Sequence, residues 1–152
     1  MLWIAGGAGV TPFMAMWDGL SQMADTNSAN VSSDIVLLFS GRDDDVGILK
    51  HFLARKNSLP ENLKVQILVY QSVGQDPATA NTALDDLRKE AAGTVLSIEQ
   101  RRVQMSDLKT IHDLGSRDVF LCGPDNLIRW YNNAFETLDV DQSKLHQESF
   151  SF

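Results

Sequence analysis

Leu2-Trp3-Ile4-Ala5-Gly6-Gly7-Ala8-Gly9-Val10-Thr11-Pro12 opens the chain. The apolar run Leu2–Ala5, closed by glycine, reads as a short buried strand. Thr11 is placed to cap a helix and Pro12 to take its first position, for a helix predicted over Thr11–Met23. A strand that turns through glycines into a helix leaves unpaired N–H groups and a partial positive charge at the corner, which suits a phosphate. The pattern recurs near the other end, where Val119-Phe120-Leu121 runs into Cys122-Gly123-Pro124 ahead of a second helix. Two such corners on neighbouring parallel strands enclose a crevice of the kind in which open α/β sheets bind ligands.

Between the corners, strands and helices alternate. Asp34–Ser40 is an unbroken apolar run, typical of a strand covered on both faces. Val46–Lys56 carries Ile48, Leu49, Phe52 and Leu53 at helical spacing, and Leu63–Tyr70 is a third strand. The polar stretches Ala24–Ser33 and Ser72–Asn81 read as loops, Thr82–Ala91 as a helix, and Thr94–Ile98 with Arg102–Met105 as a short extended excursion. Ser106 is placed to cap a brief helix through His112. Asp118–Cys122 is the fourth strand, Pro124–Leu138 a helix with Leu127, Ile128, Tyr131, Ala134, Phe135 and Leu138 on its inner side, and Leu145–Phe152 the last strand. Strands separated by helices imply a parallel sheet with right-handed crossovers, hence a three-layer, Rossmann-like α/β domain.

At 152 residues the chain suits one domain with its own core. A net charge of -7 argues against a nucleic-acid surface. No apolar run approaches the roughly 18 residues of a membrane span. The single cysteine, Cys122, excludes an internal disulfide and a multi-cysteine metal site, and suits the cytoplasm or another reducing compartment. His51, His112 and His146 have no metal-ligand spacing. Because Met1 is followed at once by a core strand, the chain reads as a piece of something longer.

Three segments in order resemble the pyridine-nucleotide-binding half of the ferredoxin–NADP reductase superfamily, which includes cytochrome b5 reductases and oxygenase reductases. They are Ile4–Pro12, Leu38-Phe39-Ser40-Gly41-Arg42, and Val119–Pro124 with the ending Glu148-Ser149-Phe150-Ser151-Phe152. The resemblance implies a five-stranded parallel sheet of order 3-2-1-4-5, which sets the two glycine corners side by side. It also implies NADH or NADPH as ligand, and hydride transfer to FAD or FMN held by a separate barrel domain. No such barrel can be found in this chain, so a flavin domain or flavoprotein partner is expected to supply it.

On this reading Gly6, Gly7, Gly9, Val10, Thr11 and Pro12 seat the pyrophosphate. Pro12 stands where the last glycine of the familiar G-x-G-x-x-G fingerprint would fall, so this is a variant form. Gly123, Pro124 and Asp125 belong to the second corner. The resemblance sets Cys122 beside nicotinamide C4 and Glu148 near the flavin–nicotinamide contact, the two positions closest to the chemistry. From the residues alone, a cysteine before a helix N-terminus can have a lowered thiol pKa, and a buried core position is also a common fate for a cysteine; the adjacent glycine corner favours the nicotinamide contact. Arg42 ends the second strand, where it can grip a 2′-phosphate or stack on adenine, but Asp43, Asp44 and Asp45 follow and would repel an added phosphate. The balance leans to NADH. With no barrel, an apolar patch is expected around Trp3, Phe13 and the C-terminus. Two rivals stand beside the reductase domain: a non-catalytic module that binds nucleotide or protein, and an unrelated doubly wound domain for another phosphorylated ligand.

Overall fold

A computed structural model describes residues 1–25, 34–54, 63–72, 85–89 and 95–150. Six parallel strands form one sheet: β1 (Leu2–Gly6), β2 (Asp34–Gly41), β3 (Lys64–Gln71), β4 (Val95–Glu99), β5 (Val119–Pro124) and β6 (Leu145–Phe150), in the spatial order β4-β3-β2-β1-β5-β6. The expected five-strand order is contained in it, and the count is corrected to six. The additional strand is β4, the first half of the segment read as an extended excursion. It pairs with β3 from Gln66↔Val95 to Tyr70↔Glu99, and its weak alternation of Leu96 and Ile98 with Ser97 and Glu99 is what an edge strand shows.

The helices are α1 (Thr11–Asp25), α2 (Lys50–Ala54), α3 (described over 85–89), α4 (Met105–Lys109) and α5 (Asp125–Thr137). The predicted 24–33 and 72–81 loops, the ends of the 46–56 and 82–91 helices, and Phe152 fall wholly or partly outside the described residues. Among the described residues no helix is long and apolar enough to cross a membrane.

Strand side chains alternate between two cores. Trp3, Ala5, Leu37, Phe39, Ile67 and Val69 point to the side packed by α1 and α2, where Phe13, Trp17, Phe52 and Leu53 meet them. Leu2, Ile4, Val36, Leu38, Leu68 and Leu121 point to the other side, where Leu108 of α4 and Ile128, Tyr131, Ala134 and Phe135 of α5 close over them. Period-two strands buried on both faces therefore give three layers. In the first core Trp3 stacks on Phe13 (5.5 Å between centroids) and Trp17 meets Phe52 edge-on (5.0 Å), pairs that contribute about 0.5–1.5 kcal/mol each beyond area burial. Trp3 is 0% exposed and Phe13 2%, so the apolar patch expected around them is corrected: both are core residues.

Three local expectations change. The helical turn begins before Thr11, as a 3-10 turn over Gly7–Val10 that runs straight into α1, so Thr11 is helical and does not cap. Its hydroxyl donates to the Ala8 carbonyl at 2.8 Å. Pro124 is the last residue of β5 and precedes α5. In α4 the N-cap position expected of Ser106 is taken by Gln104, whose N–H donates to the Asp107 carboxylate at 2.7 Å in a capping box.

The opposite rim is held by one buried cation. Arg117 pairs with the Asp34 carboxylate at 2.7 Å and donates to the carbonyls of Met1, Asp34 and His112, so β1, β2 and the lead-in to β5 share one guanidinium. Five donors in a fixed plane make arginine suited to such a junction.

The β1 corner touches β5. A methyl carbon placed on Gly9 would collide with the Cys122 carbonyl oxygen and come within 2.6 Å of its carbon. Gly19, inside α1, has nothing within 4 Å of the same position. Gly9→Ala should therefore lower stability by about 1–3 kcal/mol through overpacking. Gly19→Ala should raise it by roughly 0.5–1 kcal/mol by removing backbone entropy from the unfolded chain. Urea unfolding midpoints of the two variants should move in opposite directions.

Candidate functional site

The carboxyl ends of β1, β2, β3 and β5 border a cleft of about 680 Å³, within the range of small-molecule sites. Gly6, Gly7 and Ala8 form its inner lip. Ser40, Gly41, Arg42 and Asp45 follow from the end of β2, and Tyr70 and Ser72 from the end of β3. Arg102 and Val103, between β4 and α4, supply an outer wall. Pro124, Asn126, Leu127, Trp130 and Tyr131 line it from the β5–α5 corner, with Phe150 of β6.

The two glycine corners lie together. Ala5 pairs with Cys122 across β1 and β5, and a methyl carbon on Gly6 would lie 2.7 Å from Leu127 Cδ1 and 3.1 Å from Pro124 Cδ. Gly7 has φ +51, a left-handed conformation that a residue with a side chain adopts at a cost. That turn starts the helical stack at Gly7, with the first N–H groups of the 3-10 turn lacking helical partners. Opposite it, Asp45 Oδ2 stands 3.7 Å from where a Gly7 Cβ would be and accepts the Arg42 N–H at 2.9 Å. Asp45 thus stands against the first corner.

The outer wall is braced by a clamp. Arg101 binds both oxygens of Asp107 at 2.7 Å and lies 5.3 Å over the Tyr70 ring. Those Arg101 hydrogen bonds, with the Gln104 N–H, hold the Asp107 carboxyl below the ordinary carboxylate range despite partial burial. Burial, then the Asp107 charge, pushes the Tyr70 phenol up. Arg101 is therefore committed to the clamp, and its neighbour Arg102 reaches the cleft, as does Arg42.

Of the residues singled out in the sequence, Gly6, Gly7, Arg42 and Pro124 line the cleft. Gly9 and Val10 are buried behind the lip, with Thr11, Pro12, Gly123 and Asp125 flanking the corners. Cys122 and Glu148 are partners in register on β5 and β6, and neither lines the cleft. Cys122 is 7% exposed and packs into the α1-side core. Burial, and secondarily the Glu148 charge, pushes its thiol up, opposite to the lowering that a helix N-terminus can cause. Tyr70, Trp130 and Tyr131 escaped the sequence reading as site residues. Leu127, Trp130 and Tyr131 follow one another at i, i+3 and i+4 on α5, a spacing indistinguishable from a core stripe until the tertiary structure places its first turn at a strand end.

The model of the oxidoreductase NAD-binding domain family matches residues 3–133, and the chain belongs to that family. No curated protein sequence matches it. Among solved structures, it is similar to the flavohem-like FAD/NAD-binding domain of nitric oxide dioxygenase from Vibrio cholerae O1 biovar El Tor (17% identity, TM-score 0.58, 98% of this chain and 50% of that one). It is also similar to flavohemoglobin from Malassezia yamatoensis with bound FAD and heme (20% identity, TM-score 0.61, 99% and 31%). Ferredoxin-NADP+ reductase from Plasmodium falciparum with 2'P-AMP gives 15% identity and a TM-score of 0.56, over 99% and 52%. The chain thus spans 31% to 52% of the length of these proteins, and the resemblance carried by its three motifs is borne out at the level of family and fold.

The clamp has a pH signature. A carboxyl whose folded-state pKa is depressed contributes stability above its unfolded pKa and loses it as pH falls through the folded value. The wild-type advantage over Asp107→Asn should be full near neutrality and shrink on acidification below about pH 4, where unperturbed carboxylates begin to protonate. Unfolding midpoints of the two proteins, measured from neutral pH to below 3, should converge.

Proposed function

We propose that this chain binds a pyridine dinucleotide across the carboxyl edge of its sheet and presents the nicotinamide to a flavin held by another domain or a partner flavoprotein. It would act as the NAD(P)H-binding part of a reductase. The observation that carries the reading is the meeting of two glycine corners over one cleft in a chain of the oxidoreductase NAD-binding family. The residues present suit the group. An open glycine lip at a helix start fits a pyrophosphate, two cationic side chains lie at the cleft wall, and a carboxylate lies within reach of the lip.

A bound nicotinamide supplies the hydride and a flavin accepts it; the residues of this chain bind and orient. Gly6, Gly7 and Ala8 would present backbone to the pyrophosphate. Gly9, Val10, Thr11 and Pro12 would hold that lip from behind, with the Thr11–Ala8 hydrogen bond fixing its curvature. Arg42 and Arg102 would face the adenosine end. Asp45 would accept from ribose hydroxyls, and its charge supports NADH over NADPH, because a 2′-phosphate there would meet a carboxylate. Gly123, Pro124 and Asp125 would shape the nicotinamide end beside Cys122 and Glu148. The raised thiol argues against Cys122 as a nucleophile, and its place in the α1-side core makes it a neutral support behind the nicotinamide end. The FAD named in the structural neighbours supports a flavin as acceptor.

Thermal unfolding with NADH, NADPH and ADP-ribose tests the binding. A ligand at 100 times its Kd should stabilise the protein by about 2.7 kcal/mol. NADH should raise the midpoint more than NADPH, and Asp45→Asn should narrow the gap. No shift with millimolar amounts of any of the three would sink the proposal. Consumption of NADH in the presence of added FMN or a flavin domain tests the reductase role, and binding without turnover would favour a nucleotide-binding module.

A further inference from the structure

The cleft holds two hydroxyl groups that lack hydrogen-bond partners. Tyr131 is 0% exposed, Ser40 is half-buried, and both line the cleft. Neither oxygen makes a hydrogen bond of acceptable geometry. Ser40 lies within hydrogen-bonding range of the Tyr131 phenol and acts on it, but without the alignment of a well-formed bond, and even a bond between the two would use only one of their O–H groups and leave the other proton unmatched. Buried polar groups are ordinarily satisfied, and an exception at a cleft points to something that satisfies it there.

Position narrows the candidates. Ser40 sits in register between Gly6 of β1 and Tyr70 of β3. It is therefore one strand outward from the glycine lip, on the side away from β5 and Cys122. A dinucleotide whose pyrophosphate rests on the lip and whose nicotinamide lies toward β5 must carry its adenosine over Ser40. The surroundings select for charge as well. The groups that act on the Tyr131 phenol, besides Ser40, are Tyr70 and Asp107, and the Asp107 carboxylate disfavours an anion there. Trp130, the adjacent residue on α5, is the exposed large hydrophobic among the described residues, at 37%, and lines the same cleft.

We propose that Ser40 and Tyr131 form a hydrogen-bonding subsite for a neutral group of the bound adenosine, a sugar hydroxyl or the edge of the base, with Trp130 as the apolar wall beside it. The inference rests on the dinucleotide reading above. It assigns the two hydroxyls a partner that arrives only with the ligand, so the free protein carries them unsatisfied. A site built around polar groups of this kind discriminates strongly against ligands that lack the matching group.

Tyr131→Phe removes one oxygen and keeps the ring. Calorimetric titration of ADP, 2′-deoxy-ADP and purine-riboside diphosphate into wild type, Tyr131→Phe and Ser40→Ala, with the unfolding midpoint of each free protein, makes the test. Tyr131→Phe should bind ADP about tenfold more weakly while its ligand-free midpoint stays level or rises. If the variant and wild type bind 2′-deoxy-ADP alike, the group is the sugar hydroxyl; if they bind the purine-riboside compound alike, it is the base edge. Unchanged ADP affinity in Tyr131→Phe would overturn the subsite. So would an equal loss for all three ligands together with a lowered free-protein midpoint, because that is a packing defect. Failure of wild type to bind ADP at all would instead overturn the dinucleotide reading on which the subsite stands.

Discussion

The backbone of the turn after β1 lies against the backbone at the end of β5, and the cleft depends on that contact. The turn reaches the Cys122 carbonyl only because position 9 has no side chain, and Gly6 approaches Gly123 and Leu127 on similar terms. Were the two corners held one side chain further apart, α1 and α5 would diverge and the lip at Gly7 would no longer face the β5–α5 corner. Glycine is costly in an unfolded chain because it has most freedom to lose. Here that cost is offset by a junction of two crossovers that no larger residue permits.

The three-layer packing supplies the rigidity behind the contact. β1 is buried along its whole length, Trp3 and Ala5 toward α1 and Leu2 and Ile4 toward α5, so the strand that carries the lip is fixed from both faces. At the far rim Arg117 ties the starts of β1 and β2 to the lead-in of β5. One end of the sheet is thus closed by a buried cation with matched acceptors. The other end is left open, with the glycine lip, Asp45, Ser40 and Tyr131 bordering the cleft. Open α/β sheets bind ligands at that carboxyl end because the crossover helices part there.

The outer wall obeys a different economy. Arg101 could have been a cleft cation, but two 2.7 Å bonds to Asp107 and a Tyr70 ring beneath it commit it to holding the β4–α4 connection in place. The adjacent Arg102 and Val103 are consequently presented to the cleft on a braced segment. A bidentate guanidinium–carboxylate pair suits this role, since its geometry resists rotation as well as separation.

Much of this was legible in the chain itself. Continuous apolar strands, glycine corners and the α5 stripe announced a parallel, doubly covered sheet, and the order of three motifs announced the family. These signals are local: backbone freedom at glycine, and the two-residue and 3.6-residue repeats of buried faces, are written in adjacent residues. β4 was faint because an edge strand buries little and so carries little hydrophobic signal. Thr11 looked like a cap because the sequence cannot show that Gly7–Val10 already turns as a helix. What only the tertiary structure decided was which polar groups share a space: Asp45 against Gly7, Arg101 locked to Asp107, Ser40 beside Tyr131, and Cys122 in the core. Arg101 and Asp107 are six positions apart, but Gly7 and Asp45, and Ser40 and Tyr131 at 91 positions, lie far apart in the chain, and such pairings arise from sheet register and helix docking, which no stretch of sequence encodes alone.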